Sequence, residues 1–157
     1  MTHLMDLVAG DAREILLAIG TGDLAGLDDR RRFPGHVALG GGLDPTWLDL
    51  FAEGARSVIG GDGPGDFLDA RIEIEGRPDD EGRSIERVDP AWITAVARIP
   101  DARVGAVASR WIDLVEEELG PLARDEKPWI RDLAARLVAF CRAADRAPDV
   151  LFAWSLK

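Results

Sequence analysis

The chain has 157 residues, with 19 Lys and Arg against 29 Asp and Glu, so its formal net charge is −10 with both histidines neutral. Hydrophobic residues at 46% and charged residues at 31% are the balance of a globular chain of ordinary domain size. Tyr, Asn and Gln are absent and there are two His and one Cys, which removes or narrows every mechanism that needs those side chains.

The acid excess argues against holding a phosphate backbone, because that affinity comes from Lys and Arg displacing condensed counterions. Only Lys127 and Lys157 are lysines, and the one basic cluster, Arg30-Arg31-Arg32, follows directly on Asp28-Asp29. We read it as a solvated loop. No nucleic acid and no membrane is expected as a partner, since the first residues carry no basic segment followed by a long apolar run. The expectation is a cytoplasmic protein, and the preference for Arg over Lys suggests a GC-rich, bacterial coding sequence. The single Cys141 lies in the apolar stretch Leu137-Val138-Ala139-Phe140-Cys141 and reads as a packed thiol.

In chain order, Asp11-Ala12-Arg13-Glu14 has the spacing of a capping box and opens a short helix that stops at Gly20. Residues 21 to 42 are rich in Gly and charge, with a brief strand expected at His36-Val37-Ala38-Leu39. Asp44-Pro45 starts a second helix whose apolar face is Trp47, Leu48, Phe51, Ala55 and Val58. Gly60 to Asp66 reads as a loop. Arg71-Ile72-Glu73-Ile74-Glu75 alternates, which predicts a strand with Ile72 and Ile74 inward and the charges in water. Ser84 to Val88 is its expected hairpin partner.

Asp89-Pro90 opens a helix to about Ile99, and Pro100-Asp101 opens another that ends at Gly120-Pro121. Asp125 is the expected cap of a last helix with Trp129, Ile130, Leu133, Leu137, Phe140, Cys141 and Ala144 as its inner stripe. Val150 to Leu156 is apolar on both faces, as for a strand in the interior of a sheet. The predicted fold is one α+β domain over residues 1–157, a small mixed or antiparallel sheet with a C-terminal strand, packed against several helices.

Local motifs are sparse. Leu43-Asp44-Pro45-Thr46-Trp47 and Val88-Asp89-Pro90-Ala91-Trp92 share one helix-start chemistry, which capping explains without an internal repeat. Gly40-Gly41-Gly42 precedes a helix, but Asp44 occupies the anion position and no Lys-Ser/Thr follows. Asp62 and Asp66 would repel phosphate at the second glycine run. His3, His36 and Cys141 are too remote from one another for a zinc pattern, no Ser stands in a nucleophile elbow, and no residue pattern calls for a cofactor. Asp113, Glu116, Glu117 and Glu118 form a solvated helix face. The remaining candidates for a ligand-binding cleft are His36, Trp47, Arg71, Glu73 and Trp92, placed between the hairpin of residues 71–88 and the helices starting at Asp44 and Asp89, with Trp47 and Trp92 on its rim.

The order of elements, from the first helix through the Trp47 helix, the Gly-rich segment, the Val88-Asp89-Pro90 helix start and the apolar end at Val150 to Leu156, resembles that of the YfbM-like proteins of unknown function and related short actinobacterial proteins. The likeness is one of layout over nearly the whole chain, and the aromatic-rich middle of that family is largely missing. It implies an α+β cytoplasmic domain and carries over no catalytic residue. Together these features lead us to expect a non-enzymatic interaction protein, of immunity or antitoxin-like type, with a basic protein as partner. The alternative is a small-molecule-binding domain or hydrolase-like enzyme.

Overall fold

The computed structural model describes residues 5–40, 43–73 and 84–154. Five strands, β1 (Met5–Gly10), β2 (Gly35–Ala38), β3 (Arg71–Glu73), β4 (Ser84–Val88) and β5 (Asp149–Trp154), form one open antiparallel sheet in the order β2-β1-β5-β4-β3. The helices are α1 (Ala12–Gly20), α2 (Thr46–Ile59), α3 (Phe67–Ala70), α4 (Pro90–Ala97), α5 (Asp101–Leu119) and α6 (Glu126–Ala144), with a 3-10 turn at Ala25–Asp28. This is the α+β class expected from the sequence.

Local chemistry places the helix starts. The Asp11 carboxylate accepts from the backbone N–H of Arg13 and Glu14, that of Asp44 from Thr46, and that of Asp89 from Ala91 with Pro90 in the first turn. Asp125 departs from this pattern: it stands before α6 without a side-chain capping bond, and the Glu126 carboxylate reaches back to the Ala123 N–H instead.

The sheet separates two apolar layers. Leu7, Ala9, Val150 and Phe152 face α2, α4, α5 and α6, while Val8, Leu151 and Ala153 face α1, Leu27 and Phe33. β1 and β5 are therefore covered on both sides. The helical layer closes tightly where α2 crosses α5, because Gly54 has no side chain: a Cβ there would stand 3.2 Å from the backbone nitrogen of Trp111. Cys141 is buried, as expected. No described helix is long and apolar enough to cross a membrane.

Two further expectations fail. The segment Met5–Gly10, which carried no strand prediction, is a fully buried strand. The β3 hairpin is also turned over relative to its alternation: Ile72 is 51% exposed, whereas the Arg71 side chain is only 10% exposed. Pairing decides this, since the register of β4 on β5 puts Glu86 beside Phe152, and that of β3 on β4 puts Arg71 beside Val88 on the same helix-covered face. Ile74 and Glu75 lie outside the described residues.

Removing residues 150–157 should abolish the cooperative melt, since Leu151, Phe152 and Ala153 are fully buried and each large apolar side chain contributes roughly 1.5–3 kcal/mol within a total of only ~5–15 kcal/mol. A truncated chain that still melts cooperatively near the full-length temperature, followed by circular dichroism, would refute the central position of β5. Gly54→Val should cost about 1–3 kcal/mol in urea denaturation, because the backbone it meets has nowhere to retreat.

Candidate functional site

The five nominated residues do not form one cleft. His36 is on β2 at one edge of the sheet, and Arg71 and Glu73 are on β3 at the other, with β1, β5 and β4 between them. Trp47 and Trp92 are core residues and not rim residues. They belong to a run of aromatic contacts in which Trp47 meets Trp111 at 6.5 Å, Trp111 meets Phe51 at 5.1 Å, Phe51 meets Trp92 at 6.4 Å and Trp92 meets Phe67 at 4.9 Å. Both indoles at the heart of this run are satisfied by backbone: Trp111 Nε1–H donates to the Trp47 carbonyl and Trp92 Nε1–H to that of Gly65.

The run ends at Arg71. Phe67 meets Phe152 at 5.0 Å, and the Arg71 guanidinium lies 5.8 Å from the centre of each ring. Arg71 Nη1 donates to Glu86 Oε1 at 3.1 Å, and Trp154 Nε1–H donates to the same oxygen at 3.1 Å. Arg71 Nε is buried and has no hydrogen-bond partner among the described residues. The structure thus brings Arg71, Trp92 and, through the aromatic chain, Trp47 to one side of the sheet.

His36 stands in a different site. Its Nε2 is 2.7 Å from Asp6 Oδ1 and its Nδ1 is 2.7 Å from Asp28 Oδ1. Both partners are carboxylates that accept, so the protonated ring donates from both nitrogens. Burial lowers the imidazole's proton affinity, but the hydrogen bonds and charges of Asp6 and Asp28 overcome it and raise the pKa above the ordinary value of about 6.5. Asp6, at 6% exposure, is the one buried charged residue among those described. Its place on β1, beside edge strand β2, brings it to the ring as its hydrogen-bond partner.

Beside this bridge runs a groove of about 450 Å³, lined by Asp28 of the turn, by Arg30 and Pro34 of the segment that follows it, by β2, and by Arg136, Ala139 and Phe140 from α6. Its floor follows from strand pairing. The Leu39 N–H donates to the Met5 carbonyl at 2.8 Å, so with Met5 opposite Leu39 the odd-numbered residues of β2 bond to β1. The backbone N–H and C=O groups of His36 and Ala38 consequently point away from the sheet, into the groove. Gly35 lets α6 approach here, because a Cβ at that position would lie 3.1 Å from the Phe140 ring.

Asp6, Asp28, Arg30, Arg136 and Ala139 were missed by sequence reasoning. One signal was present: a lone acid in the apolar run Met5 to Gly10 needs a buried partner, and only two histidines were on offer. The Cys141 thiol is held protonated, pushed up by burial and secondarily by Asp145. No group of three or more His, Cys, Asp or Glu among the described residues is placed to hold a metal. Compared with known proteins, the chain matches no family model, no curated protein and no solved structure.

A raised His36 pKa makes stability depend on pH in a defined sense. The bridge contributes fully below the unfolded-state value of about 6.5 and is lost as pH rises through the higher folded-state value. Urea midpoints should therefore fall as pH rises from about 6.5 through the His36 titration, and His36→Gln should remove that dependence. Midpoints that stay flat through the His36 titration, followed by NMR, would contradict the bridge.

Proposed function

We propose that this protein works by binding another protein, as an immunity or antitoxin-like protein does, and that the groove along the free edge of β2 receives an extended segment of that partner. The observation that carries this reading is the pair of outward-facing backbone groups at His36 and Ala38, which open onto a groove of about 450 Å³. Such an edge can pair with an added strand, whose alternate side chains would meet the exposed Ala139 and Ala143 of α6. The net charge of −10 favours a partner that is basic overall and makes encounter fast at low salt. Catalysis is disfavoured at His36, which commits both ring nitrogens to carboxylates, and at Cys141, whose thiol is buried and protonated.

A second reading, a small-molecule site, is favoured by the buried, unpartnered Nε of Arg71, a donor that a carboxylate ligand would satisfy. The two readings predict different sensitive positions.

Ala139 is exposed, so Ala139→Trp should fill the groove without disturbing the core. It should weaken binding of the protein partner isolated from native lysate at least about tenfold, or about 1.4 kcal/mol, and shift Tm by only a few degrees. A partner that binds Ala139→Trp as tightly as the parent, in calorimetric titration, does not use this groove.

A further inference from the structure

We propose that the Asp6–His36–Asp28 bridge is a latch operated by one proton, which holds the Ala25–Asp28 turn against β2 and so fixes one wall of the groove. This inference rests on the strand-docking reading for its purpose, but its geometry stands independently. The three side chains come from three elements: Asp6 from β1, the strand next to the edge, His36 from edge strand β2, and Asp28 from the end of the turn. Their environments are unequal. The Asp6 and His36 side chains are each 9% exposed, whereas that of Asp28 is 68% exposed.

That inequality decides which contact breaks when the ring loses a proton. A neutral imidazole keeps one N–H and presents a lone pair at its other nitrogen. Asp6 has far less access to water than Asp28, and leaving its carboxylate without a donor is the costlier outcome, so the remaining proton stays on Nε2. Nδ1 then turns a lone pair towards the Asp28 carboxylate at 2.7 Å. Asp28 has water available, and Arg30, whose Nη2 is 4.0 Å away, as an alternative partner. It is therefore the contact that releases.

The charged groups around the ring all fit this scheme. β1 contributes Asp6 and the turn contributes Asp28 and Arg30, while Arg136 of α6 lines the far wall of the groove. Leu27 remains buried in the layer beneath α1, so the turn stays anchored at its middle. Release frees Asp28 and, just beyond the turn, Arg30, both of which line the groove. In the protonated state the wall is held and the strand-docking edge has fixed width. In the deprotonated state the wall can move outward, and Asp28 adds a free negative charge to the groove mouth.

The test follows the free protein by NMR. The nitrogen resonances of the His36 ring report both protonation sites across the titration, and amide exchange of residues 26–33 reports the turn. Exchange there, normalised to unstructured-peptide rates, should rise at least about fivefold with the same midpoint as the ring, and the neutral ring should be the Nε2–H tautomer. In Asp28→Asn the side-chain amide can accept from a protonated Nδ1 or donate to a neutral one. The turn in this variant should stay protected throughout the titration, and the ring midpoint should fall because a negative charge has gone. Unchanged turn protection in the parent, an Nδ1–H tautomer, or opening that persists in Asp28→Asn would each overturn the latch. These readouts use no partner, so failure of the latch leaves strand docking standing, and indifference of the partner to Ala139→Trp leaves the latch standing.

Discussion

The pairing of β1 with β5 is the contact on which the other elements depend. Six residue pairs run from Met5–Trp154 to Gly10–Asp149, and both strands are covered on each face. A strand buried on both sides cannot slip by one residue and trade a core face for a wet one, so its register is fixed by packing on two sides at once. α1 and the turn carrying Leu27 and Phe33 seal one side; the four-helix layer seals the other. The single charge admitted to this centre, Asp6, is tolerated because the neighbouring strand supplies an imidazole for it.

The helical layer has its own internal order. Aromatic side chains pass from α2 through α5 and α4 to the sheet in a series of edge-to-face or tilted contacts, an arrangement that favours the ring quadrupoles. The chain ends on Arg71, whose charge sits against two ring faces and one carboxylate. Without Tyr, this protein meets its buried polar needs with indole N–H groups aimed at backbone carbonyls and at Glu86.

What the sequence makes legible is what short-range chemistry controls. The Asp-led helix starts at residues 11, 44 and 89, the hairpin partner Ser84–Val88 and the doubly apolar strand at the chain's end can all be seen within a few residues of one another. The failures share the opposite property. β1 is missed because its short apolar run is interrupted by Asp6, whose burial makes sense only with His36 thirty residues away. The β3 face is inverted because its orientation is set by β5 through β4, not by its own pattern. The groove joins a turn, an edge strand and a late helix, and no local window contains it. Grouping His36 with Arg71 was plausible along the chain, yet the sheet order sets them at opposite edges.

The insertion of β5 between β1 and β4 also constrains how the molecule can be made. One edge of β1 pairs early with β2, but its other edge finds a partner only when Asp149–Trp154 is available, so the sheet's central ladder is a contact of very high sequence separation and closes late. During synthesis the β5-facing edges of β1 and of the β3–β4 hairpin stay open until residues 149–154 have left the ribosome. Nascent chains in that state are vulnerable to aggregation. A chaperone that shields β1 in the interval would speed the yield of native protein without altering its final stability.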